Sequence, residues 1–372
     1  LRLLTSPGQL APVGELAEGY ERWTAEHNGG CRTVNIYVYA APSDDVRRAL
    51  RSWWSAEQQL AVGPQPDAWI PDSSAEIAAV RADAARLSTP LPMTADPQPV
   101  AYSPLVVATS LASVPVAGPD RQRVFPAETP WSGVPARLTA LGLGLIRPDP
   151  GTSIVGTLAT AALYADQGAT QAKLIEQMIE RSLDSGGYPL DNDAAALCRY
   201  RTAAGAQGAP PRVALVMSEQ TMVRYNQGHP LGGECSVHVE LTVGQQLQAL
   251  YPTGTPSLDI SLVRFDWDRG ATQPAAGETG RLERWLRGAA GQAALLAVGL
   301  RPANLLRVYE PLTEANGVQP GAEVARGRPD SDQLTAAKQR YATTRRRSRV
   351  LLAIDASGSM ASTAGPAGTR FQ

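Results

Sequence analysis

The chain has 372 residues and a formal net charge of -1 at pH 7, with 43% hydrophobic and 19% charged residues. These values are typical of a globular protein with buried cores, and they exclude a disordered charged tail and a strongly basic surface for nucleic acid. No run of about 20 apolar residues is present, so we expect no membrane-spanning segment. Two lysines against thirty-two arginines favour a high-GC bacterial source.

The first part of the chain, up to about residue 100, alternates between strand-like and helix-like segments. LRLLTSP predicts a strand, and apolar residues spaced by three and four over residues 13–23 predict an amphipathic helix after it. TVNIYVYA predicts a second strand, and Ser43 is expected to cap the helix that follows. DAWIPDSS predicts a third strand, and Ser73 with Glu76 has the spacing of a capping box.

This order of elements predicts a parallel sheet with helices on both faces, because the crossovers between parallel strands are right-handed. Ligands of such sheets bind at the carboxyl ends of the strands. Small or polar residues stand at those ends, at Ser6, Ala40 and Asp72 to Ser74. The sequence therefore predicts a concave site there.

A second α/β region begins after Ala101. Ser153 is expected to open one helix, residues 170–184 form another, and RVALVMSEQ predicts a strand that leads into a helix at Ser218 or Glu219. Two extended segments, AYSPLVVATSL and SLDISLVRFD, connect the two regions, and a long helical segment with a break at Gly288 to Gly291 follows. Two α/β regions joined by two extended crossings predict two lobes with a cleft between them.

Several segments of the sequence resemble segments of known protein families. PVAYSPLVVAT, VALVMSEQTMVRYNQG and ALYPTGTPSLDISLVRF resemble bacterial extracytoplasmic solute-binding proteins of the two-lobed, type II periplasmic-binding kind. The tail RVLLAIDASGSM resembles the first strand and metal motif of a von Willebrand factor A domain. The resemblance implies an α/β fold in which each lobe is a mostly parallel sheet flanked by helices. The expected divisions are 1–104 and 264–345 for lobe one, 105–263 for lobe two, and 346–372 for the truncated start of the von Willebrand A domain.

The resemblance implies a binding protein and not an enzyme. Such proteins close two lobes over a small molecule or an oxyanion, and helix amino termini in the cleft favour an anion. The ligand-binding candidates are Ser6, Ser73, Ser74, Ser103, Ser153, Glu219 and Tyr251. Glu219 conflicts with a simple oxyanion site, because a carboxylate repels an anion, and each serine would serve equally well as a helix cap. The alternative is a ligand-free surface scaffold that uses the same fold for protein interactions.

The tail motif implies a second kind of partner. By resemblance, Asp355, Ser357 and Ser359 would help to bind Mg²⁺ in a complete von Willebrand A domain, which binds proteins through that cation. The remaining ligands of that family come from later loops, so we expect an incomplete site and no bound cofactor in this chain. We expect an extracytoplasmic protein, secreted or on the cell surface, with any membrane anchor outside these residues.

The three cysteines bear on the compartment. Cys198 and Cys235 fall in the expected second lobe and Cys31 in the first, and a bond within one lobe leaves the hinge free. We therefore favour Cys198 with Cys235, although the other pairings remain open. A disulfide implies an oxidising compartment, consistent with export. Cys235 and His238 form a C-x-x-H pair, but no four-ligand zinc set is visible around it.

Overall fold

The computed structural model describes residues 1–88, 91–96, 98–114, 128–188, 190–267, 274–304 and 307–346. Its strands are β1 (Arg2–Thr5), β2 (Tyr37–Ala40), β3 (Ala68–Ile70), β4 (Met93–Ala95), β5 (Ala101–Thr109), β6 (Gly144–Ile146), β7 (Val213–Ser218), β8 (Gln248–Leu250), β9 (Ser257–Ile260), β10 (Val263–Phe265) and β11 (Arg301–Pro302). Its α-helices are α1 (Leu10–Glu26), α2 (Ser43–Arg51), α3 (Ala56–Ala61), α4 (Ser74–Arg86), α5 (Val134–Ala140), α6 (Ile154–Leu163), α7 (Ala169–Gly186), α8 (Asp193–Gln207), α9 (Glu219–Asn226), α10 (Pro274–Arg287), α11 (Ala289–Ala297) and α12 (Ser331–Thr344).

Lobe one is built on a five-stranded sheet in the order β2-β1-β3-β10-β4. β1 pairs in parallel with β2 and β3, as the alternation of strands and helices predicts, whereas β10 runs antiparallel to β3 and β4. Helix α1 buries Val13, Leu16 and Tyr20, the apolar positions that predicted it. The capping box of α4 is also confirmed, because Ser73 and Glu76 both make its hydrogen bonds.

Lobe two surrounds β5, whose nine residues are all buried. β5 runs antiparallel to β7, β8, β9 and β11, and among the described strands of this lobe β6 and β7 are the pair that runs parallel. The expectation of mostly parallel sheets is therefore wrong, and both sheets are mixed. The reason is that β5 enters this lobe from the hinge and becomes its central strand, so the chain returns beside it in the opposite direction.

Three segments pass between the lobes at the hinge. The first half of β5 pairs with β9, with Ala101 opposite Ile260, and β9 is followed directly by β10 in the sheet of lobe one. β11 returns to the same place and pairs with Tyr102 and Ala101. The two crossings expected from the sequence are thus joined by a third, short strand.

The end of the described chain departs from the expected division. Residues 264–345 were expected to complete lobe one, and α10 and α11 do pack there, on β10 and α1. Leu312 and Val318, in contrast, pack in a cluster with Val106 and Met217 of lobe two. Helix α12 packs mainly on α6 and α7 of lobe two and also contacts α4 of lobe one. The expected assignment of residues 264–345 to lobe one therefore does not fit Leu312, Val318 and α12. Their burial depends on contacts that are distant in sequence.

Local details refine two further expectations. The helix break predicted near Gly288 is confirmed, since α10 ends at Arg287 and α11 begins at Ala289. Ser43 is the first residue of α2 and makes no side-chain cap, because Pro42 occupies the capping position.

A disulfide joins Cys198 on α8 to Cys235, with the two Cα atoms 5.7 Å apart, and Cys31 is free and exposed. None of the helices in the described ranges combines the length and apolar character needed to cross a bilayer.

Candidate functional site

A closed-in space lies between the two lobes, at the carboxyl ends of β1, β3 and β7. We call it the inner chamber; its volume is about 350 Å³. Ser6 and Asp72 line it from lobe one, and Ser153, Asp191, Asp193 and Ser218 line it from lobe two. Of the described residues that line it, three are acidic and none is Lys, Arg or His. The site is therefore formed by both lobes and is negatively charged.

Asp72 supplies the charge from lobe one. It follows β3, and its Oδ1 accepts a hydrogen bond of 2.7 Å from the Ser6 hydroxyl at the end of β1. Burial raises the pKa of Asp72 to about 6; the hydrogen bond from the Ser6 hydroxyl opposes this, and the negative charge of Asp193 adds a smaller upward effect. Two carboxylates thus face each other across the chamber, and none of the described residues that line it places a basic side chain between them.

Asp193 supplies the charge from lobe two and is held rigidly. It is the first residue of α8, and its two carboxylate oxygens accept hydrogen bonds of 3.0 Å from the amides of Ala194 and Ser218. Lobe one approaches it closely, since a Cβ atom added at Gly8 would lie 3.9 Å from Asp193 Oδ1. The carboxylate is therefore fixed at the surface where the lobes meet.

Ser153 lies on the wall of the chamber at the start of α6. Its hydroxyl accepts a hydrogen bond of 3.3 Å from the amide of Gly156 and so caps the helix. Gly156 is required here because a Cβ at this position would lie 2.3 Å from the carbonyl oxygen of Pro148 in the preceding loop. Ser153 is therefore both a helix cap and a residue of the chamber wall.

The helix amino termini at the chamber already have partners from the chain itself. Ser153 caps α6, Asn192 caps α8 through the amide of Ala195, and Ser218 caps α9 through the amide of Thr221. At α4, the carboxylate of Glu76 accepts the amides of Asp72 and Ser73. Each cap satisfies one of the several amide donors at its helix start, so fewer remain for an oxyanion. The arrangement does not favour an anion.

The same network buries Glu76, whose pKa is raised to about 8 by burial and by the charge of Asp72. Glu76 also borders a second space, which we call the outer chamber, of about 510 Å³ between α2, α4, α6 and α12. The two chambers share Ser43, Thr152, Ser153 and Ile154 in their walls. The two chambers are therefore neighbours that share a wall at the start of α6.

Three of the predicted serines lie away from the inner chamber. The hydroxyl of Ser73 donates to Asp259 Oδ1 at 2.6 Å, and the amide of Ser74 donates to the same oxygen at 2.9 Å. Ser103, fully buried in β5, accepts a hydrogen bond from the amide of Gln220. These contacts hold α4 and α9 against the hinge strands, and they engage the Ser73 hydroxyl, the Ser74 amide and the Ser103 hydroxyl within the protein.

Glu219 and Tyr251 are placed in a buried ion-pair cluster. Both carboxylate oxygens of Glu219 accept from Arg301, at 2.8 and 2.7 Å, and the Tyr251 hydroxyl donates to the same carboxylate. Burial, followed by the charge of Glu219, raises the pKa of Tyr251 far above its usual range. The cluster joins α9 to β11 at the hinge, and neither residue lines the inner chamber.

Of the predicted ligand residues, Ser6 and Ser153 are thus brought together, and the other five are not. Asp72, Asn192 and Asp193 were not among the ligand residues predicted from the sequence. For Asp193 a signal existed, because an Asx-Asp pair ahead of an Ala-rich segment is typical of a helix start. For Asp72 the position after β3 was recognised, but nothing in the sequence shows that it faces Asp193.

On the other side of the cleft the lobes are bonded directly. Gln9 donates to Gln220 at 2.7 Å, and Arg224 pairs with Glu15 at 2.6 and 3.1 Å. Gln9 and Glu15 belong to lobe one, and the other two lie on α9. The lobes are therefore in direct contact beside the hinge as well as around the inner chamber.

The predicted metal residues Asp355, Ser357 and Ser359 lie outside the described residues. Within the described ranges, no group of three or more His, Cys, Asp or Glu is placed to hold a metal ion.

Three solved structures of similar fold are distant from this chain in sequence. A ferric binding protein from Campylobacter jejuni matches with a TM-score of 0.56 at 11% identity, over 92% of this chain and 99% of that one. A periplasmic thiamin binding protein matches with a TM-score of 0.55 at 10% identity, over 93% and 96%. A Trichodesmium protein in complex with iron and citrate matches with a TM-score of 0.53 at 11% identity, over 92% and 98%.

These likenesses establish the two-lobed fold. No curated protein sequence matches the chain. The family model for bacterial extracellular solute-binding proteins matches residues 1–301, most of the chain. The chain therefore belongs to the bacterial extracellular solute-binding protein family.

Proposed function

We propose that the protein captures a small organic cation in the inner chamber and delivers it to a transport system. The proposal depends mainly on one observation: Asp72 and Asp193 reach the chamber from opposite lobes, while no described basic side chain lines it. Closing the lobes brings the two carboxylates together, which costs free energy unless a positive charge lies between them. A cation would supply that charge and would stabilise the closed arrangement.

The size of the chamber favours an organic solute. Its volume of about 350 Å³ lies within the range typical of small-molecule sites and is far larger than a single metal ion requires. Ser6, Ser153 and Asn192 add hydroxyl and amide groups to its wall. The solute that fits best carries one positive group and a few hydrogen-bonding groups.

Two further parts of the expected function are supported less directly. An extracytoplasmic location agrees with the family and with the Cys198–Cys235 disulfide. Protein binding through a von Willebrand A domain after residue 346 remains a proposal that is supported by the sequence D-x-S-G-S at 355–359 alone.

Calorimetry with two matched panels tests the choice of solute. We expect heat from one or more of thiamin, choline and spermidine, and none from sulfate, molybdate or phosphate. Asp72→Asn removes the charge and keeps the shape, so we expect cation affinity to fall by about tenfold or more. Asp45→Asn is the control, because Asp45 lies on α2 outside the chamber and pairs with Arg48.

The outcomes separate the two levels of the proposal. Binding of an oxyanion that tightens in Asp72→Asn would contradict the charge argument and leave solute capture intact. No heat from any compound, in the wild type and in both variants, would favour the ligand-free scaffold.

A further inference from the structure

Helix α12 is attached firmly to lobe two. Arg340 donates to the carbonyl oxygens of Tyr164 and Gln167, and its guanidinium lies 5.0 Å from the centre of the Tyr164 ring. The Tyr341 hydroxyl donates to Asp149 Oδ2 at 3.0 Å. The helix also lies beyond residues 1–301, the part that matches the family model.

The base beneath this attachment is rigid. The Tyr341 ring lies under Arg147, 5.1 Å from its guanidinium. Arg147 is itself fixed by two hydrogen bonds of 3.0 Å to Glu176 and by one of 2.6 Å to Thr160, all of them buried. The carboxyl-terminal half of α12 is therefore expected to move with lobe two as one body.

The amino-terminal half of α12 faces lobe one across the outer chamber. Leu334, Thr335 and Lys338 line that chamber opposite α2 and α4. Among the described side chains of α12, the hydrogen bonds made outside the helix go to lobe two. Helix α12 contacts lobe one through its packing on α4, and Lys338, which lines the outer chamber, is attracted by Asp44 of α2, while burial and the nearby Arg47 lower its pKa.

From this asymmetry we propose that α12 is a strap over the mouth of the solute cleft. It is held by lobe two and rests on lobe one only while the lobes are closed. Because the outer chamber adjoins the inner one at the start of α6, and α12 forms a wall of the outer one, a solute that enters on this side has to pass beneath the strap. The strap thereby favours the closed arrangement before any solute arrives.

Two variants weaken the strap by different routes. Arg340→Ala with Tyr341→Phe removes its bonds to lobe two, and Lys338→Gln removes its attraction to lobe one. Lys173→Gln is the matched control for the second, since it removes the same charge from the only other lysine of the chain, on α7. All are made in the full chain.

Hydrogen exchange without any solute gives the readout, together with the radius of gyration in solution. In both strap variants we expect amides of α4 and of the first turn of α6 to exchange about fivefold faster, and the radius of gyration to increase. The Lys173→Gln variant should match the wild type in both measurements.

Unchanged exchange in α4 and α6, with α12 itself exchanging faster, would show that the helix detaches without consequence and would overturn the proposal. Unchanged exchange everywhere in Lys338→Gln, a variant that keeps the bonds to lobe two, would also count against it. Because no solute is used, these results do not depend on whether the cation proposal holds.

Discussion

Two groups of buried carboxylates in this protein differ in whether a basic side chain pairs with them. Glu219 is paired with Arg301 and Tyr251, and Glu176 with Arg147. Asp72 and Asp193 face a chamber whose described walls hold no basic side chain. The first group has its counter-charge within the fold, so these carboxylates stabilise the structure. The second lacks one, and that is what distinguishes a site for an external cation.

The largest expected loss of stability comes from removing a carboxylate of the first group, Glu219, from its basic partner. Glu219→Ala leaves the guanidinium of Arg301 buried, at 7% exposure, without its carboxylate. We expect the free energy of unfolding to fall by about 3–5 kcal/mol, because an unpaired buried charge is strongly destabilising. Denaturant titration measures this.

The exposed pair Arg48–Asp45 is the control for that experiment, and Asp45→Ala should cost no more than about 1 kcal/mol. A cost for Glu219→Ala as small as the control's would remove the distinction between the two groups of carboxylates.

Asp72→Asn should change the free energy of unfolding in the opposite direction and stabilise the folded protein at neutral pH. Burial raises the pKa of Asp72 to about 6 in the folded protein, above its unfolded value, so the folded state holds its proton to higher pH. The stability that this proton gives is present at low pH and is lost as the pH rises from about 4 to about 6. At pH 7 to 8 the variant should therefore be more stable than the wild type by on the order of 1–2 kcal/mol.

The pH profile tests the cause of that gain. The difference between Asp72→Asn and the wild type should grow between pH 4 and pH 6 and then level off. An equal difference at all pH values would indicate better packing of the amide and not relief of charge.

Much of the fold could be predicted from the sequence because it depends on local patterns. The apolar spacing of α1, the capping box of α4 and the break at Gly288 each depend on residues a few positions apart. The direction of β5 relative to its neighbours does not, and for that reason the mixed sheets were missed. The lobe to which α12 belongs was missed for the same reason.

The site was harder to predict than the fold. A serine before a helix looks the same in sequence whether it lines a chamber, as Ser153 does, or is buried against Asp259, as Ser73 is. Asp72 and Asp193 are far apart along the chain, and only the meeting of the two lobes makes them neighbours. Charge complementarity across the lobes therefore requires the structure.

Ser73 and Ser153, which both cap helices, test the same contrast between structural residues and site residues, with a smaller expected effect. Ser73→Ala removes the cap of α4 and a buried hydrogen bond to Asp259, so we expect a loss of about 1–2 kcal/mol in stability. Ser153→Ala removes only the cap of α6, with an expected loss of about 0.5–1 kcal/mol. Thermal denaturation measures both.

Solute affinity should reverse that order. Ser153 lies on the wall of the inner chamber and Ser73 does not, so Ser153→Ala should weaken binding of the cation more than Ser73→Ala does. Equal affinities in the two variants would mean that Ser153 acts as a helix cap alone.

The smallest effect is expected from Mg²⁺, and it concerns residues outside the described part of the chain. Asp355, Ser357 and Ser359 would supply only part of the oxygen ligands that a divalent cation requires, and Mg²⁺ gives up its water reluctantly when few protein ligands are offered. We therefore expect millimolar Mg²⁺ to leave the melting temperature unchanged, in the wild type and in Asp355→Ala alike. A rise of several degrees in the wild type that Asp355→Ala abolishes would show that this short segment already forms a working cation site, and the chain would then contain two separate sites for positive charge.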